Sequence, residues 1–128
     1  MGPVPRIRNR HLAGAALGRA GERAAAELLK RRGYEVIGAG FAARRGEIDL
    51  VCRRRDALVL VEVKTRTTHA FGAPIEAVGA RKRKAMMAAA AEYRALAEWR
   101  GPIRFAVVAL TGNPDDGFLA ELIEDPFA

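Results

Sequence analysis

The sequence predicts an α/β fold with elements in the order α-β-β-β-α-β-β. Three observations predict it. Two Ala-, Leu- and Arg-rich segments, 14–32 and 80–99, repeat apolar residues at helical spacing. Five short runs rich in Val, Ile, Leu and Phe have the length of strands. Stretches bearing Gly, Pro, Asn and Asp separate them.

Each element has its own justification. Pro3, Pro5, Arg6, Arg8 and Arg10 make a flexible basic tail, so 1–12 is set apart from a single domain over 13–128. Within 14–32, Leu17, Gly21, Ala24, Ala25, Leu28 and Leu29 fall on one face, and Gly33 stands where a left-handed cap ends a helix. Gly18 and Gly21 each weaken that helix by about 1 kcal/mol relative to Ala, which points to a neighbour approaching the backbone closely. Strands are expected at 34–37, 46–52 and 57–64, with a polar hairpin loop from Arg53 to Asp56. Residues 65–79, with Gly72, Pro74 and Gly79, read as a loop. The second helix, 80–99, places Met86, Ala90, Tyr93 and Ala97 on one face. A strand at 103–110, a turn over TGNPDDG (111–117) and a last strand at 118–123 complete the chain.

Charge narrows the partners. The 128 residues carry 22 Lys and Arg against 15 Asp and Glu, a net +7. Residues 1–84 hold 19 basic and 8 acidic side chains, a net +11, while 85–128 hold 3 and 7, a net −4. A basic front attracts a polyanion, above all nucleic acid, through counterion release. The ordinary alternative is a solvated Arg-rich surface, and charge does not separate DNA from RNA. Cys52 is the only cysteine, which excludes an internal disulfide and fits a reducing compartment. No apolar run approaches about 18 residues and no signal-peptide pattern is visible, so a cytoplasmic chain without a membrane partner is expected. His11 and His69 are too few and too scattered for zinc. No phosphate loop, dinucleotide fingerprint or Ser/His/Asp set appears.

The sharpest local pattern is Gly46-Glu47-Ile48-Asp49, a basic turn, then Glu62-Val63-Lys64. Residues two apart in a strand share a face, so Glu47 joins Asp49 and Glu62 joins Lys64. A hairpin centred between Arg55 and Asp56 sets Asp49 opposite Glu62 and Glu47 opposite Lys64, with facing Cβ atoms about 5 Å apart. A slip of one residue would undo this. Three carboxylates and an ammonium on one patch suit a hard divalent cation, Mg2+ or Mn2+, and Lys64 could orient an attacking water. The alternative is a cross-strand salt-bridge cluster on a solvated face, where Glu47–Lys64 is an ordinary pair.

These residues resemble a known family. Gly46 to Leu50 (GEIDL), Val61 to Arg66 (VEVKTR), Phe71-Gly72 and the basic start of the second helix are similar to the YraN-like family of uncharacterised endonucleases. Gly18 to Ala24 (GRAGERA), Arg104-Phe105, Val107-Val108 and Thr111-Gly112-Asn113 extend the resemblance from about residue 18 to 127. That family is assigned to the restriction-endonuclease-like superfamily, with a PD-(D/E)XK site, and is distantly similar to archaeal Holliday junction resolvases. The resemblance implies an α-β-β-β-α-β core with a mixed central sheet flanked by helices, here with an extra C-terminal strand. It implies a Mg2+- or Mn2+-dependent endonuclease acting on DNA in preference to RNA, including branched or structured DNA, and a homodimer by analogy with resolvases. Asp49 matches the metal-binding aspartate. Glu62 matches the second metal ligand and Lys64 the catalytic lysine of the ExK pair. Glu22 matches the glutamate that completes such sites. Two departures are Ala106, where the family commonly has Asp, and Asp125-Pro126-Phe127, where Asn-Ala commonly precedes the Phe.

The other candidates are read from the residues. On spacing alone, Glu22 could be a helix-surface acid paired with Arg19 or Arg23. Arg66 and the run Arg81 to Lys84 could contact phosphates, with Arg66, Arg81, Lys82 and Lys84 the candidates and Lys82 preferred. Their alternative is a solvated helix start. A basic first turn opposes the helix dipole, which points to an anion in compensation. Phe71 packs at the mouth of the site or stacks on a base. Cys52 reads as a small buried apolar residue. The readings that compete with a nuclease are a nucleic-acid-binding module with little catalysis and a structural protein with a salt-bridged sheet.

Overall fold

Twenty residues, Leu12–Arg31, form helix α1 in the computed structural model, which describes residues 12–67 and 79–127. Its buried stripe of Ala25, Leu28 and Leu29 follows the helical period, and Lys30 and Arg31 in its last turn suit the negative end of the dipole. Gly33 ends it at φ 92°, which a side chain would resist. The Gly33 N–H donates to the Lys30 carbonyl at 3.1 Å and the Tyr34 N–H to the Leu29 carbonyl at 2.9 Å, the paired bonds of a Schellman turn.

The chain then lays down β1 (Glu35–Ala43), β2 (Gly46–Arg54) and β3 (Ala57–Arg66), crosses over through α2 (Ala80–Ala97), and returns in β4 (Ile103–Asn113) and β5 (Gly117–Glu124). These strands form one sheet in the order β1-β2-β3-β4-β5. Every neighbouring pair is antiparallel except β3 and β4, which run parallel from Leu58↔Ile103 to Arg66↔Thr111. The result is a mixed α/β fold with the helices on opposite faces. A parallel pair needs a crossover, and a strand covered on both faces reads as a continuous apolar run. Leu58 to Val61 of β3 and Ala106 to Leu110 of β4 are buried throughout for that reason. Leu50, Cys52, Val59, Val61, Val108 and Leu110 pack beneath α1. Ile48, Val51, Leu58 and Leu60 pack beneath Ala89 and Ala90 of α2. Each fully buried Leu or Val stabilises the fold by about 1.5–3 kcal/mol.

Several boundaries differ from expectation. β1 runs to Ala43 rather than stopping at residue 37. Gly38, Ala39 and Gly40 give no strand signal in sequence; the ladder to β2 holds them, through Ala39↔Leu50 and Phe41↔Ile48. Thr65 and Arg66, expected in a loop, pair with Leu110 and Thr111. β4 continues to Asn113, whose side chain accepts the Asp116 N–H at 2.8 Å and tightens the turn. α2 stops at Ala97, where Glu98 takes a left-handed conformation without glycine. The Arg53–Asp56 loop shrinks to Arg55 and Asp56, because Arg54 pairs with Ala57. The basic tail, His11, His69 and Phe71 lie outside the described residues. Among the described residues no helix is long and apolar enough to cross a membrane.

Candidate functional site

The β2–β3 hairpin is zipped from Arg54↔Ala57 up to Leu50↔Val61, the register the sequence predicts. There the ladder ends. The Asp49 carboxylate takes over, accepting the Val63 N–H on Oδ2 at 2.8 Å. Asp49 and Glu62, like Glu47 and Lys64, lie beyond this point, so neither is the ladder pair that the sequence predicts. Where the strands part, a cavity of about 400 Å³ opens, lined by Asp49, Glu62, Val63, Lys64 and Thr65 with Leu17, Gly18 and Glu22 of α1. Asp49, Glu62, Lys64 and Glu22 therefore border one space, drawn from three elements.

Glu22 reaches that space because α1 presses closely on β3. A methyl group on Gly21 would run into the Thr65 side chain. Gly21 is thus the close approach the sequence predicts. Gly18 is not, since a Cβ there would meet nothing within 4 Å.

The electrostatics follow from crowding. Burial raises the Asp49 carboxyl first, the negative charge of Glu62 second, and the charges of Glu22 and Glu47 add to it. The Val63 N–H opposes the rise, and the net result is a pKa pushed up to about 7. Glu62 is the buried charged residue of the described chain, with 7% of its side chain exposed. A charge so buried needs a partner. The Lys82 Nζ supplies it from the first turn of α2, 2.9 Å from Oε2. That turn holds no acid and Gly79 offers no side-chain cap, so Glu62 is an anion that compensates the basic helix start.

Lys82, the preferred phosphate candidate, is paired with a carboxylate in the protein alone. Arg81 and Lys84 are exposed beside it, and Arg66 closes β3 opposite Thr111. Among the described residues, no three His, Cys, Asp or Glu side chains are set out as a ready-made metal cage. Asp49 and Glu62 are the pair that could share an ion, with Glu22 on the wall. One or two carboxylates completed by water are a usual complement for Mg2+, and the negative charge crowded around Asp49 by Glu62, Glu22 and Glu47 fits a cation there.

Three features were missed in sequence. They are the Lys82–Glu62 pair, the Val63 N–H on Asp49, and Thr65 as the seat of Gly21. The acid-free first turn of α2 signalled the first of them. Cys52 is buried among apolar neighbours as expected, its thiol pushed up to about 12 by burial. A second cavity of about 320 Å³, lined by Tyr34, Arg54 and Glu124 among others, is occupied by internal partnerships. The Tyr34 hydroxyl donates to Glu124, and Arg54 lies 3.3 Å from the same carboxylate and 4.8 Å from the Tyr34 ring centre. Burial, then the Glu124 carboxylate, raises the Tyr34 hydroxyl pKa.

A family model described as uncharacterised protein family UPF0102, the family of YraN, matches residues 21–110. A UPF0102 protein of Symbiobacterium thermophilum is 42% identical over 112 residues, covering 87% of this chain and 95% of its own. One from Anaeromyxobacter dehalogenans is 47% identical over 98 residues, covering 75% and 72%. One from Ectopseudomonas mendocina is 45% identical over 97 residues, covering 74% and 82%.

Proposed function

The chain belongs to uncharacterised protein family UPF0102, and from that premise and the geometry of its cavity we propose that it is a metal-dependent endonuclease acting on DNA. The observation that carries this reading is Asp49 and Glu62 bordering one cavity with Lys64 beside them. We read the sheet as a restriction-endonuclease-like core. In support stand the order α-β-β-β-α-β, the antiparallel hairpin bearing the Asp and ExK residues, and the parallel β3–β4 pair.

Residues have separate tasks in this reading. Asp49 and Glu62 would hold Mg2+ or Mn2+, with Glu22 completing the site from the cavity wall. The ion would lower the pKa of a bound water and offset charge gathering on the phosphate. Lys64 orients the attacking water and faces the developing anion. The Val63 N–H holds the Asp49 carboxylate in place at the cavity. Arg66, Arg81 and Lys84 bind flanking phosphates, which positions the strand without reading its sequence.

The test is a cleavage panel of linear, nicked, flapped and four-way DNA with Mg2+ or Mn2+. The proposal expects at least one substrate to be cut, with a loss of roughly 100-fold or more in Asp49→Asn and Lys64→Ala. DNA bound but uncut in either metal overturns it in favour of a binding module with little catalysis. The Lys82–Glu62 ion pair, which occupies a donor oxygen, is the observation favouring that second reading.

A further inference from the structure

We propose that Lys82 is the resident counter-ion of Glu62, a positioning residue displaced when a divalent ion binds and thereby freed to meet the substrate phosphate. This rests on the nuclease reading above and extends it to α2. Glu62 is buried with its carboxylate against the Lys82 ammonium, 2.9 Å away. Without that ammonium the buried charge would stand uncompensated. The two partners differ in exposure: 7% of the Glu62 side chain is accessible, against 37% for Lys82. Lys82 therefore has an open path to bulk water, whereas Glu62 meets solvent only through the cavity. Its flexible four-carbon stem lets the ammonium swing while the helix stays in place.

The neighbouring basic residues do not share this role. Arg83 lies 5.7 Å from the Phe127 ring centre, and Arg81 and Lys84 are exposed. An ion shared by Asp49 and Glu62 would sit within a few ångströms of the ammonium, and like charges at that range repel. One carboxylate then serves two cations in turn. Ion binding and Lys82 release are coupled, and the coupling is reciprocal. Metal-free protein keeps Glu62 satisfied, and metal-loaded protein presents one more ammonium beside the cavity.

Two measurements test this without following cleavage. The first is calorimetric titration of Mn2+ into wild type, Lys82→Met and Lys82→Arg. Removal of the competing charge should tighten Mn2+ binding about tenfold in Lys82→Met, while Lys82→Arg should stay near wild type. Equal or weaker binding in Lys82→Met overturns the proposal and leaves the metal site standing, provided wild type binds Mn2+. Absence of binding in wild type removes the metal reading and this proposal together. The second measurement needs no variant. Amine labelling of Lys82 in the full-length wild-type protein, read by mass spectrometry, should accelerate at saturating Mn2+. An unchanged rate overturns the displacement.

Discussion

Asp49 is a carboxylate that meets its own kind on three sides. Its pKa rises from 3.8 to about 7 because burial and the charges of Glu62, Glu22 and Glu47 outweigh the Val63 N–H. In the unfolded chain it ionises near pH 4. Between those values the folded state holds the proton that the unfolded state has lost. The contribution of Asp49 to stability is therefore full below about pH 4 and declines as pH rises toward 7. Asp49→Asn keeps the acceptor for Val63 and removes the charge. We expect chemical denaturation in chelator to show this variant roughly 1 kcal/mol or more stabler than wild type at pH 8 and little different at pH 4. A variant equal to wild type at both pH values would contradict the crowding. Cys52 makes a second prediction at this scale. Its thiol, pushed up to about 12 by burial, should resist maleimide at pH 8 in the folded protein and react promptly once denatured.

At the scale of elements, the site depends on how α1 seats against β3. Gly21 allows the helix to approach Thr65 closely enough for Glu22 to line the cavity. Ala normally favours a helix by up to about 1 kcal/mol over Gly. Here overpacking should reverse that sign, with Gly21→Ala losing about 1–3 kcal/mol by denaturant titration. Thr65→Ala in the same chain should restore most of the loss, because it removes the atoms the new methyl would strike. The β2–β3 register was legible before any coordinates, since a tight turn centred between Arg55 and Asp56 sets Cys52 opposite Val59 and Leu50 opposite Val61. The α1 terminus was legible because Gly33 has a local cause. The length of β1 was not, since Gly38 to Gly40 become a strand only through the β2 ladder. The Lys82–Glu62 pair was hidden for the same kind of reason. It joins positions 20 residues apart across a crossover, where no local spacing brings them together.

For the whole molecule, charge asymmetry sets the expected behaviour toward nucleic acid. The first 84 residues carry a net +11 and the remainder a net −4. Arg81, Lys82 and Lys84 begin α2 beside the buried Glu62 of the cavity, so the basic helix start and the candidate centre share one end of the sheet. DNA affinity should fall steeply with salt, and Arg81→Ala or Lys84→Ala should each lower the slope of log K against log salt by about 1. A slope unchanged in both variants would place the DNA elsewhere. Beneath all of this lies the proposal that Asp49, Glu62 and Glu22 converge upon a divalent ion. Titration of Mn2+ at pH 8 into wild type and Asp49→Asn tests it most directly. Saturable uptake of a single ion by wild type, lost in the variant, is the predicted result; no uptake, or equal uptake by both proteins, would contradict it.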